Sequence, residues 1–178
     1  MARVPLITDS EHPELAPLVA RLKSARGGRL LNLYRVLLNS PPLAAAWLDF
    51  NSAVRFATIL DAAVRELAIM RVAIVNGADY QLRIHGARHA AGAGVSAEQV
   101  DALSNWRDAT VFSVQQRAVL AYADAMTTAI AVDDAAHLDL CAHFNAQQIV
   151  ELTVLIGAYN MHTRVVRALG IDAEPASP

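Results

Sequence analysis

The run RELAIMRVAIV, residues 65–75, limits the fold more than any other stretch of the chain. Leu67, Ile69, Met70, Val72, Ala73, Ile74 and Val75 leave hardly a side of a helical wheel polar. A helix that is apolar all round belongs inside a protein, with other elements packed around it. Nothing in the chain shows the two-residue alternation of a half-buried strand, and β-branched residues are interspersed with alanine. The partners of this helix are therefore helices, and the fold class is all-α. The pattern predicts helices over 12–26, 29–39, 42–56, 61–75, 79–92, 96–104, 113–130, 134–143 and 146–169. Local chemistry marks their ends. Two prolines in SPPL, residues 40–43, suit a helix start. SAEQ at 96–99 and SVQQ at 113–116 have the form of capping boxes. Asn145 is a further N-cap, and Gly77, Gly92 and Gly94 suit left-handed helix ends.

A length of 178 residues fits one domain, taken as residues 1–178. With 54% hydrophobic and 18% charged residues, the chain has the composition of an ordered globular protein. Net charge is −2 and no basic block occurs, so nucleic acid is not an expected partner. The longest greasy run is cut by Arg71 and falls short of the roughly 20 apolar residues of a membrane span, so no membrane is expected either. The start of the sequence lacks the apolar core of a signal peptide. Cys141 is the one cysteine, which suits a reducing compartment and points to the cytoplasm. The alanine-rich apolar excess hints at a homo-oligomer.

Chemistry-bearing residues gather around the central helix. Glu66 sits near its start, where burial makes carboxylate charge costly and a carboxyl group can hold or relay a proton. The alternative is a structural ion pair with Arg65 or Arg71. After the Asn76-Gly77 break come Tyr80, Gln81, His85 and His89. Gln81, His85 and His89 recur every four residues and would share one helical stripe. In a helical hairpin His85 could meet Glu66, which would orient the imidazole and leave its other nitrogen for a substrate. His85 and His89 also have the spacing of two metal ligands, but no third ligand falls at a suggestive offset, so no metal is expected. Asn160 and Arg164 share a face and could clamp a carboxylate, or could hold helices together. Trp47 and Phe50 could roof a pocket or could be plain core. ELAIM at 66–70 is echoed by ELTVL at 151–155, either as a diverged duplication or as two helices with similar starts.

Residues 65–103, RELAIMRVAIVNGADYQLRIHGARHAAGAGVSAEQVDAL, resemble the core motif of the carboxymuconolactone decarboxylase and alkylhydroperoxidase D-like family. NSPPLAAAWLDF, RAVLAYADAMT and VELTVLIGAYNMHTRVVRALGI resemble flanking parts of its longer members. The resemblance implies an all-helical bundle that assembles as a trimer or hexamer, with a site near subunit contacts and no cofactor. In the peroxidase branch of that family two cysteines stand between the glutamate and the histidine. Here Glu66 and His85 keep that spacing, and the cysteine positions hold Ala78 and Gln81. In the decarboxylase branch a tyrosine-acid-tryptophan run precedes the histidine; here the run reads Tyr80, Gln81, Leu82.

The resemblance implies Glu66 as acid/base or orienter, His85 as proton donor or relay, and Tyr80 as a hydrogen-bond donor. Gln81, His89, Trp47, Asn160 and Arg164 are the candidate substrate contacts. The expected function is a lyase or isomerase acting by proton transfer on a small unsaturated carboxylic acid or lactone, in aromatic compound catabolism. Two alternatives stand beside it. One is an antioxidant relative that has lost its thiol activity, and the other is a non-catalytic oligomeric binding protein.

Overall fold

The computed structural model describes residues 2–174, with Asp79, Tyr80, Arg83, Ala87 and Arg88 described by their backbone alone. Every regular element among the described residues is helical. Two compact units divide the chain, one formed by residues up to Phe56 and from Arg164 onward, the other by Ala57–Thr163.

The first unit contains α1 (Ala16–Ser24), α2 (Asn32–Leu37), α3 (Pro41–Phe56) and the last turns of the long α9 (Ala146–Ala168). Pro41 opens α3, where its missing N–H costs nothing because first-turn N–H groups have no helical acceptor. Val19, Leu22, Tyr34, Leu38, Ala44 and Leu48 form the core of this unit. Trp47 packs against that core, while Phe50 is 41% exposed.

The second unit is built on α4 (Ala62–Val75). Asp61 caps it, its carboxylate accepting from the N–H groups of Ala63 at 2.9 Å and Val64 at 3.1 Å. Val64, Glu66, Leu67, Ala68, Ile69, Met70, Val72 and Ala73 are all buried, as an apolar wheel requires. Gly77 ends the helix at φ 60°, a left-handed conformation that costs glycine little. Then follow α5 (Asp79–Ile84), α6 (Ala97–Ala102), α7 (Val114–Thr128), α8 (Asp134–Cys141) and α9 as far as Thr163. Both capping boxes form, at Ser96 with Gln99 and at Ser113 with Gln116. Asn145 caps α9, its side-chain oxygen 3.0 Å from the Gln148 nitrogen. Leu67, Met70, Leu103, Trp106, Phe112 and Leu120 lie at the centre of the packing.

The structure departs from the expected single helix over 79–92. The α pattern stops at Ile84, and His85–His89 form a π turn in which the Ala90 N–H reaches back five residues to the His85 carbonyl at 2.9 Å. A short 3-10 turn, Ala91–Ala93, follows. Gly86 stands inside the widened turn, and glycine holds an α pattern poorly. Gly94 adopts the left-handed conformation expected of it, at φ 84°; Gly92 lies within the 3-10 turn instead.

The two similar sequences ELAIM and ELTVL occupy different settings. Glu66 is buried in α4, whereas Glu151 on α9 accepts a hydrogen bond from the Ile59 N–H at 2.9 Å and another from Gln147. Helical form is thus common to the two stretches, but the environment of the glutamate is not.

One residue is strained. Ile130, just past α7, has φ 66° and is 86% exposed. A β-branched residue in the left-handed region is a genuine outlier, because its side chain crowds the backbone. Its exposure means that it stabilises little by burial. Ile130→Gly is expected to raise stability by about 1 kcal/mol, allowing for the larger entropy of glycine in the unfolded chain. Urea unfolding that showed a loss of stability would contradict this.

Candidate functional site

Glu66 lies in the first half of α4, and its neighbours hold it away from water at 3% exposure. The reversal at Gly77 brings α5 back so that His85 arrives opposite it, itself 5% exposed. His85 Nδ1 stands 2.5 Å from Glu66 Oε2. With a hydrogen on Nδ1 the imidazole donates and the carboxylate accepts, which fixes the tautomer and turns Nε2 away from the glutamate. Nε2 lies 3.4 Å from the Tyr159 hydroxyl, longer than hydroxyl hydrogen bonds usually run. The rings of His85 and Tyr159 meet edge to face, with centroids 5.4 Å apart and planes at 82°. Tyr159 in turn stacks on His162, with ring centroids 5.8 Å apart, and the His89 ring lies 5.3 Å from that of His85.

A second contact joins the same two elements one turn away. Gln81 precedes His85 by four residues, and Thr163 follows Tyr159 by four, so each pair shares a helical face. The Thr163 hydroxyl donates to Gln81 Oε1. Gln81 is 2% exposed, and its Nε2 has no hydrogen-bond partner. A buried donor left unpaired costs about 1–3 kcal/mol, so such atoms call for an explanation.

The segment carrying Glu66, Gln81 and His85 is also the segment that known proteins share. Residues 41–125 match the carboxymuconolactone decarboxylase family. Over that segment the chain resembles the carboxymuconolactone decarboxylase and alkylhydroperoxidase D-like proteins. It is 37% identical over 116 residues to the uncharacterized protein YnjA of Escherichia coli K12, a match covering 65% of this chain and 63% of YnjA. The chain thus spans less than two thirds of that curated relative. A solved structure from Agrobacterium tumefaciens, a protein of unknown function bearing the antioxidant-defence name AhpD, is 28% identical. It superposes with a TM-score of 0.72 over 78% of this chain and 95% of its own. The debrominase Bmp8, solved as a cysteine-to-alanine variant with 2,3,4-tribromopyrrole, is similar at a TM-score of 0.80 and 21% identity, over 97% of this chain and 92% of its own. That last likeness is one of fold. The helical architecture is that of the alkylhydroperoxidase D-like proteins.

The remaining candidates divide. Asn160 is 8% exposed and acts as a strut: it donates to Thr127 Oγ1 at 3.0 Å and accepts from Asn76 Nδ2 at 3.0 Å. Those bonds tie the end of α4 to α7 and α9. Arg164 and Trp47 belong to the first unit. The Tyr80 side chain lies outside the described residues. Arg71, one of the possible partners of Glu66, pairs with Asp124 instead, at 2.5 Å. Among the described residues no group of three or more histidine, cysteine or acidic side chains could hold a metal ion. No helix of the described residues is long and apolar enough to cross a membrane.

Tyr159 and Thr163 were not among the candidates drawn from sequence. Their signal lay in the same YNMHTR segment, at the same four-residue spacing as Asn160 and Arg164.

Proposed function

We propose that the chain is a cofactor-free lyase or isomerase that transfers protons on a small unsaturated carboxylic acid or lactone. The buried contact between Glu66 and His85 supports this most strongly. In the proton-delivering state His85 carries a hydrogen on each nitrogen. Glu66 holds Nδ1–H and offsets the imidazolium charge, and Nε2–H faces the reacting carbon. When a substrate loses carbon dioxide, the electrons of the broken carbon–carbon bond pass into the conjugated system as a dienolate. Nε2 then supplies the proton that quenches it. An isomerase would use the same nitrogen first as base and then as acid. Incubation with a panel of muconolactone-type acids, followed by ultraviolet absorbance, tests the proposal. Loss of the conjugated chromophore at catalytic protein concentration is the expected result, and an unreactive panel would count against it.

The family's antioxidant branch needs a sulfur nucleophile. Ala78 and Gln81 stand where its cysteines would be, and Cys141 is exposed on α8. Thiol-dependent reduction of an organic hydroperoxide is therefore expected to run no faster than with free cysteine. Reduction at enzymatic rates would overturn this expectation, the more so if it vanished in Cys141→Ser. The deep burial of Glu66 and His85 also favours one alternative, a non-catalytic binding protein in which the pair is structural. In that case their replacement lowers melting temperature and changes no reaction rate.

A further inference from the structure

We infer that the outward face of α3 is a docking surface for a second copy of this chain, with the two α3 helices running antiparallel about a two-fold axis. The inference is independent of the proposed reaction. α3 is apolar on two sides. Its inward side, with Ala44, Leu48 and Val54, is buried. On the other side Leu43, Ala46, Phe50 and Ala53 recur at steps of three and four residues, and all four are exposed. Phe56 continues this stripe at the end of the helix. A surface helix turns charged or polar residues to water. α3 instead shows it Leu43 at 62%, Phe50 at 41% and Phe56 at 66%.

Area sets the kind of contact. With about 200 Å² for a phenylalanine side chain, Phe50 and Phe56 expose roughly 80 and 130 Å². Leu43 and the two alanines bring the stripe to roughly 400 Å². A stable interface takes about 800 Å² from each partner, of which about 56–58%, or roughly 450 Å², is apolar. The stripe supplies nearly all the apolar area that one partner needs.

Shape names the partner. Large and small residues alternate along the stripe. Two such helices set antiparallel and centred on position 48 place Phe50 of each copy over Ala46 of the other, and Leu43 over Ala53, so that large fills small. In a parallel pair like meets like, Phe50 on Phe50 and Ala46 on Ala46, which leaves a clash beside a void. The two-fold axis makes every contact twice. Charge does not oppose the pairing. α3 carries one acid and one base, Asp49 and Arg55. Asp49 is paired with Arg21 of its own chain, and the Arg55 guanidinium lies over the Phe56 ring at 5.0 Å. A helix lying on a membrane surface is instead rich in lysine and arginine on its polar face.

The test is sedimentation equilibrium of the intact protein at micromolar concentration. An even number of copies is expected. Ala46→Glu sets a charge against Phe50 twice in each pair, and is expected to weaken the pairing by about a hundredfold or more and to halve the mass. Its helical circular dichroism should stay that of the wild type, because position 46 is exposed in a single copy. Phe50→Glu is expected to act in the same way, and Ala46→Glu alone decides if Phe50→Glu loses helicity. Leu138→Glu, which alters a residue 67% exposed on α8, is expected to leave the mass unchanged. A monomeric wild type would overturn the inference, and so would an odd number of copies. An even-numbered assembly that Ala46→Glu leaves whole would overturn it too, because the copies would then meet elsewhere.

Discussion

Under the proposed proton-transfer function, Glu66→Gln and His85→Ala are each expected to lower turnover by about 10²-fold or more, the usual scale for a positioned acid or base. Gln keeps the shape of Glu66 but lacks the charge that offsets the imidazolium. Ala at position 85 removes the imidazole that the proposal makes the proton carrier. The two side chains touch at 2.5 Å and are both almost fully buried, so they act as one unit. Once His85 is gone, the carboxylate has nothing left to orient. The double variant is therefore expected to be little worse than His85→Ala alone. Effects that multiplied in the double variant would show two independent roles and contradict the pair. Melting temperatures measured alongside separate lost chemistry from lost folding.

The largest loss of stability is expected at Asp124, on α7. Its carboxylate accepts from Arg71 Nε at 2.5 Å, Arg107 at 2.7 Å and the Trp106 indole at 3.1 Å. Arg71 and Asp124 are each about one-tenth exposed, whereas Arg107 is 60% exposed and adds little. Asp124→Ala leaves the Arg71 charge without its carboxylate. Removing one partner of a buried pair costs about 3–5 kcal/mol. Arg71 keeps its bond to the Leu103 carbonyl, so the low end, about 3 kcal/mol, is the expected value. For a chain of this size that is a fall in melting temperature of roughly 10 °C. Asp124→Asn retains an oxygen for the indole and one guanidinium hydrogen, and should cost less. A melting temperature within about 2 °C of wild type for Asp124→Ala would show that the network does not brace the fold.

Much of the helical frame was legible in the sequence because it is written locally. Ser96 with Gln99, Ser113 with Gln116, and Asn76-Gly77 specify their own stops and starts within a few residues. The all-round apolar wheel of α4 identified the buried helix, and its burial carried Glu66 inward. The Asn76-Gly77 reversal before α5 then delivered His85. The π turn at His85–His89 was not legible, since one wider turn leaves no periodic mark in five residues. Tyr159 and Thr163 were missed for a related reason. Tyr159 with Thr163 and Asn160 with Arg164 have identical spacing on α9, and choosing between the pairs requires the rotation of that helix. Packing sets that rotation. The partner of Asp124 was hidden as well, because Arg71 lies 53 residues away in sequence. The resemblance to the family was legible in the spacing of Glu66 and His85 and the motifs around them. The substrate did not, because Gln81 and Leu82 stand where the family's more specific residues would be.

Proton delivery by His85 can be measured without knowing the net reaction. Conjugated acids and lactones are incubated with the protein in deuterium oxide, and deuterium at carbon is followed by mass spectrometry. An active Glu66–His85 pair places solvent deuterium on the carbon next to the carboxyl or lactone carbonyl, and His85→Ala abolishes the incorporation. Incorporation by the wild type that persists unchanged in His85→Ala, or none with any compound of the series, would contradict a proton-transfer site at this pair.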